Sequence, residues 1–171
     1  MIGLDERDLA ILKVLSREGR IAKADLARRI NLSPTPCWNR LKRLEKAGVI
    51  TCYRATISLR KLGPNITVFV LAELDGHRAE QFQRFERAIA TQDEVQSCWA
   101  IGGGFDYLMQ VVVHDLDAYQ RLMEALLEAQ IGLSRYYSYV VTKPVKDAPP
   151  PLELLSAVQI NPPSDAPGKD D

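Results

Sequence analysis

The chain has 171 residues, enough for one domain or two small ones, and its 46% hydrophobic and 26% charged residues are an ordinary balance for a globular protein. No apolar run approaches the ~18 residues that a bilayer-spanning helix requires, and with an acidic opening, residues 1–8, no secretory leader is expected. The net charge of zero conceals a split: 14 Lys+Arg stand against 6 Asp+Glu up to Gly63, and 8 against 16 beyond it. A basic module therefore precedes an acidic one, and basicity of that size suits phosphate backbones. Cys37, Cys52 and Cys98 show no paired spacing, so neither a disulfide framework nor a metal site is expected, and a reduced cytosol is the expected compartment.

In chain order, Leu4 staples a helix that Asp5 caps, with Leu9, Ile11, Leu12, Val14 and Leu15 on its apolar side and Gly19 expected as its C′ residue. A second short helix is predicted over residues 23–30, with Leu26 and Ile30 on one face, and Asn31-Leu32 make the turn. Ser33 is placed to cap a third helix, with Pro34 in its first position and Pro36 still in the first turn, and Gly48 ends it. Residues 49–58 read as extended. Gly63-Pro64 marks the expected domain boundary, giving a DNA-binding module over residues 1–63.

Beyond it the hydrophobic period alternates between two residues and three to four. Strands are predicted over residues 66–74, 95–101, 107–113 and 133–141, and helices over 79–91 and 116–129, with Phe82, Phe85 and Ile89 inward on the first helix and Tyr119, Leu122, Met123 and Leu126 inward on the second. The order βαββαβ is the ferredoxin-like arrangement, so the chain reads as α+β: three helices of winged helix-turn-helix type, then one antiparallel sheet with both helices on one face. The other face needs a cover, and a second copy of the chain is the simplest one. This sensing and assembly module is expected over residues 64–146, followed by a proline-rich extension over 147–171. In that extension Leu152, Leu154 and Leu155 are expected to pack on the second domain, with disorder after about residue 160.

The stretch SPTPCWNRLKRLEKAGVI, residues 33–50, carries the chemistry of the first module. Cys37, Leu41 and Leu44 share one helical face, whereas Trp38, Asn39, Lys42, Arg43 and Lys46 lie on the other, flanked by Ser33, Thr35 and Arg40. Such a face fits a major groove: cations meet guanine or phosphate, an amide pairs with adenine, and an indole reaches a thymine methyl. A plain solvated helix face is the alternative. Two preceding short helices, an unexplained outward Trp and the module's basicity argue against it.

SPTPCW followed by RLKRLEKAGVI resembles the recognition helix of the Lrp/AsnC (feast/famine) regulators, as do LDERDLAILKVL and ADLARRINLS before it. FDYLMQVVV and DLDAYQRLMEALL are similar to that family's effector-binding domain, and the resemblance runs from about Leu4 to Lys146. It implies a transcriptional regulator that binds double-stranded DNA as a homodimer or a ring of dimers, a tetramer or octamer, and answers to an amino acid or related metabolite. Two positions depart from the family pattern: Ala22 stands where a Ser or Thr often caps the second helix, and Gly104 stands where an acidic residue is usual.

The effector site is expected around Gly102-Gly103-Gly104, whose exposed amides can form a nest for a carboxylate. Asp106 is the candidate for an ammonium group, and Trp99, Ile101, Tyr136 and Tyr139 are the candidate walls. The alternative is a hairpin turn needing positive φ, with Asp106 as its cap. No G-x-G-x-x-G opens a helix, and a single Tyr107 among aliphatics does not make an RNA-recognition strand. His77 and His114 lack a nucleophile or metal-ligand partner, so no catalytic residue and no cofactor are expected. A ligand-independent architectural DNA-binding protein is the remaining alternative.

Overall fold

The helix α1 (Glu6–Leu15) begins where Asp5 accepts the backbone N–H of Asp8 at 2.9 Å and the Asp8 carboxylate accepts that of Asp5 at 3.0 Å, a reciprocal capping box. It ends at Ser16 in right-handed conformation, and Gly19 does not take the positive φ expected of it. The reason lies in the hydrogen bonds: Arg17 and Glu18 both donate to the Val14 carbonyl, which closes the helix before Gly19 is reached. α2 (Lys23–Arg29) starts at Ala22 with no side-chain cap, and Asn31, at φ 53°, turns the chain after it. α3 (Pro34–Lys46) has Ser33 at the cap position, but the hydroxyl caps nothing, contrary to expectation. Pro34 and Pro36 carry no N–H, so only the Thr35 amide remains among the first three. Gly48, at φ 68°, supplies the left-handed residue that ends α3.

Ile11, Leu26, Ala27, Ile30, Cys37, Leu41 and Leu44 form the buried core of these three helices. Residues 51–58 form neither helix nor paired strand. The computed structural model describes residues 3–155 and divides them into two units, one ending at Thr56 and taken up again at Lys146, the other spanning Ile57–Val145. The break thus falls ahead of Gly63-Pro64.

The second unit contains β1 (Ile66–Leu74), α4 (Ala79–Ile89), β2 (Val95–Ala100), β3 (Tyr107–Val113), α5 (Leu116–Glu128) and β4 (Leu133–Val140). Its sheet runs β2-β3-β1-β4 with every neighbour antiparallel, the ferredoxin-like order. Val68, Val70, Ala72 and Leu74 alternate with half-exposed residues along β1, and Tyr107, Met109, Val111 and Val113 do so along β3. These inward residues form one core with Phe85 and Ile89 of α4 and Tyr119, Leu122, Met123 and Leu126 of α5. Phe82 is only partly buried against it. Asp115 caps α5 by accepting the Ala118 N–H at 2.7 Å.

The opposite sheet face carries a second apolar set. Register places Trp99 beside Leu108, Leu108 beside Leu71, and Leu71 beside Tyr137, one row across all four strands. In the next row Phe69 stands between Gln110 and Tyr139. Trp99, Tyr137 and Tyr139 are 46%, 43% and 56% exposed, so no helix of this unit covers that face.

The chain returns to the first unit with α6 (Leu152–Leu155), which lies against α1. Leu152 lines the same groove as Leu12 and Leu15, and Glu153 pairs with Lys13. This corrects the expectation that Leu152 packs on the second domain, since its apolar partners are on α1; Leu154 is 78% exposed, and the side chain of Leu155 lies outside the described residues. The extension beyond Leu155 lies outside the described residues.

Candidate nucleic-acid interface and effector site

On α3, Thr35, Asn39, Lys42 and Lys46 follow the i, i+4, i+7, i+11 progression and share about 60° of arc at 100° per residue. All four are exposed, as is Ser33 at the helix start, while Cys37, Leu41 and Leu44 face the core. Among the described residues, no acidic side chain pairs with Lys42 or Lys46. Trp38 borders the stripe and differs from its expected exposure: it is half-buried against the first core, with the Lys23 ammonium 3.3 Å from its ring centroid and that of Lys42 at 4.9 Å.

Arg40 departs further from expectation. Its guanidinium pairs with Asp5 and, at 3.1 Å, with Asp8, and its side chain is only 16% exposed, so it is withdrawn from the outward face. Arg43 reaches the other Asp8 oxygen, keeping its side chain 45% exposed. Asp8 is fully buried, and two guanidinium groups compensate its charge. Burial alone would raise the Asp5 carboxyl, but the Asp8 backbone N–H and the Arg40 guanidinium outweigh it and hold the group below the usual carboxylate range. This acid–arginine cluster joins the start of α1 to the middle of α3 and so fixes how α3 is presented. Asp8, Ile11 and Leu15 occupy one stripe of α1, and a carboxylate within such a stripe was the sequence signal for a buried cationic partner.

In the second unit, Gly102, Gly103 and Gly104 form an exposed turn between β2 and β3. A Cβ on any of them would meet no atom within 4 Å, and none of them donates a turn hydrogen bond among the described residues. Gly103 has φ 132°, whereas Gly102 and Gly104 lie outside the left-handed region. Ile101 is partly buried, and its N–H donates to the Asp106 carbonyl at 2.9 Å, closing the turn. The Asp106 carboxylate is already engaged: Oδ2 accepts the Leu74 N–H at 2.8 Å and Oδ1 lies 3.2 Å from His77 Nε2. It fastens the turn to the end of β1, so each oxygen already has one partner within the unit.

Tyr136 and Tyr139 do not wall one pocket. Tyr136 pairs with Ala72 and packs toward the helices, while Tyr139 pairs with Phe69 on the open face, because residues three apart on a strand point oppositely. The open-face partners of Trp99 are instead Leu108, Leu71 and Tyr137, and the Phe105 ring meets that of Tyr137 at 5.4 Å. Sequence reasoning missed Phe105 and Tyr137, although strict alternation from Tyr139 points to Tyr137.

Among the described residues no helix is long and apolar enough to cross a membrane, and no three His, Cys, Asp or Glu side chains are grouped to hold a metal. Residues 4–51 match the model of a winged helix-turn-helix DNA-binding domain, and residues 67–151 that of the Lrp/AsnC ligand-binding domain. The chain is 49% identical to the transcriptional regulatory protein DoeX of Halomonas elongata, over 84% of this chain and 90% of that one. It is 37% identical to the leucine-responsive regulatory protein of Escherichia coli, covering 85% and 88%. A crystallised transcriptional regulator of Neisseria meningitidis, solved as a complex with L-methionine, superposes with a TM-score of 0.83 at 32% identity, over 89% of this chain and 99% of that one. The two domain matches, in the order that the folded units follow, make this chain a member of the Lrp/AsnC family: a transcriptional regulator with a helix-turn-helix DNA-binding domain and a ligand-binding domain.

Proposed function

We propose that this regulator reads double-stranded DNA with the outward stripe of α3 and responds to a free amino acid held at the glycine turn, acting in the cytoplasm as a homodimer or larger ring. Its role on this reading is binding and not catalysis. The observation that carries the DNA half is the stripe itself. Thr35, Asn39, Lys42 and Lys46 are exposed together, and among the described residues no acid of the same unit pairs with the two cations. Asn39 has the amide geometry for adenine, and Lys42 and Lys46 supply cations for guanine or phosphate. Lys46→Ala and Asn39→Ala should each fold as wild type and weaken operator binding, Asn39→Ala with a loss of about 1–3 kcal/mol confined to one base position. Operator titrations that showed wild-type affinity for both would sink this assignment.

The effector half is supported by the L-methionine complex of the Neisseria relative and by the open space around the glycine turn. Three successive amides without internal acceptors suit a carboxylate, and Trp99 lies at the end of the strand leading into them. Gly103→Val is a poor probe, since φ 132° strains any side chain. At Gly104 an added Cβ meets no atom within 4 Å and φ lies outside the strained region, so Gly104→Val should stay folded and lose the response. The test is calorimetry with a panel of free amino acids, L-methionine included, on wild type and Gly104→Val. Binding by neither protein to any of them would favour an architectural role, and equal binding by both would move the site off the turn.

A further inference from the structure

We propose that Lys23, held on the Trp38 ring together with Lys42, is a contact for a DNA backbone phosphate outside the recognition helix. The inference rests on the reading that α3 faces DNA, and it adds a second anchoring point from α2. Lys23 is the first residue of α2, is exposed, and has its ammonium 3.3 Å from the Trp38 ring centroid, with Lys42 at 4.9 Å. An indole face attracts an ammonium through its quadrupole and restrains a flexible four-carbon stem, leaving N–H donors free for phosphate oxygens. Both ammonium groups lie close to the one ring, so a single indole sets where two positive charges of the unit stand, and a phosphate is attracted to both.

The ion pairs of the unit sharpen the contrast. Arg28, Arg29, Arg40 and Arg43 are each paired with an acid, Asp25, Glu18, Asp5 and Asp8 in turn. Among the described residues no carboxylate pairs with Lys23, Lys42 or Lys46, and Asp25, two residues from Lys23, is taken by Arg28. These four arginines are thus engaged within the unit, whereas Lys23, Lys42 and Lys46 keep their charge for an external polyanion. A half-buried Trp at the rim of α3 is explained in the same way: it is the platform that fixes where two of those charges stand.

The test is the salt dependence of binding by the full chain to two duplexes, one selected from a random pool for tight binding and one of random sequence. Each neutralised phosphate contributes ~0.9 to the slope of log affinity against log salt. Lys23→Ala should make the slope shallower by about that amount on both duplexes, because a phosphate contact ignores sequence. Trp38→Leu, which keeps apolar bulk without an aromatic face, should reproduce part of the loss, and Trp38→Tyr should restore it. A merely structural Lys23 would lower affinity or the melting temperature and leave the slope unchanged, which overturns the proposal. Trp38→Leu with the wild-type slope overturns the platform role. Lys46→Ala separates the two readings: if it flattens the slope and Lys23→Ala does not, this contact fails alone, and if neither does, the placement of α3 on DNA fails with it.

Discussion

At the scale of single residues, Asp8 does more for the DNA-binding unit than its position near the chain start suggests. It accepts the Asp5 N–H in the capping box and holds Arg40 and Arg43 against α1 from a fully buried site. Removing one member of such a buried cluster typically costs about 3–5 kcal/mol, because the remaining charges lose their compensation. Arg43 is partly exposed and can rehydrate, so the lower end applies. Asp8→Ala should therefore destabilise the first unit by about 3 kcal/mol in urea denaturation. A loss below about 1 kcal/mol would show that the cluster is dispensable. Arg43→Ala is correspondingly an impure probe of DNA contact, since it also strips a partner from Asp8. Acid should act on the same cluster. Asp5 titrates below its ordinary value in the folded state, so its contribution is complete above about pH 4 and fades as pH falls through the lowered folded value. Asp5→Asn should flatten that part of the acid-unfolding curve, and an unchanged curve would contradict the assignment.

At the scale of elements, the periodicities that announced each helix and strand were strong because burial enforces them, whereas the caps depended on atoms that a pattern does not show. The stripe Cys37, Leu41 and Leu44 and the alternation along β1 and β3 could be read directly. Ser33 looked like a cap because a serine stood before a proline, but capping needs donors, and Pro34 and Pro36 remove two of three. Asp115 stands before α5 with its amides intact and does accept one. The two positions should respond differently to the same change. Ser33→Ala should stay within about 0.5 kcal/mol of wild type, and Asp115→Ala should cost about 1 kcal/mol. Trp38 in the first unit and Trp99 in the second allow the two unfolding transitions to be followed by fluorescence. A loss at Ser33 equal to that at Asp115 would mean that the serine hydroxyl has found the Thr35 amide. The same limit explains the effector half. The glycine turn was legible as a string of glycines, but the engagement of Asp106 by Leu74 and His77 depends on contacts across the sheet. Tyr136 and Tyr139 could have been separated by counting to two along the strand.

At the scale of the molecule, a basic helical unit and an acidic sheet unit divide the work of a regulator, and the sheet unit leaves one face to be covered. Trp99, Leu108, Leu71 and Tyr137 run side by side across all four strands, with Phe69 and Tyr139 in the adjoining row. A contiguous apolar patch of this kind is unusual on a free monomer, and it is the surface on which the proposed self-association would form. A two-fold partner presenting the same row would bury both copies at once, which makes the contact self-complementary. Leu71 lies inside the row, flanked by Leu108 and Tyr137, so a charge there would sit opposite its own copy or a ring in the assembled state. Leu71→Glu should leave the helix-side core intact, because Val70 and Ala72 and not Leu71 face it. The same charge on the exposed outer side of α4, as Gln83→Glu, should have no effect on assembly. Light scattering at micromolar concentration should then find wild type and Gln83→Glu at least dimeric and Leu71→Glu monomeric. Binding to a palindromic duplex should fall in the monomer, because one half-site contact no longer brings the second with it. A monomeric wild type, or a Leu71→Glu protein that assembles as wild type does, would remove the sheet face from the interface and leave its apolar row without a partner.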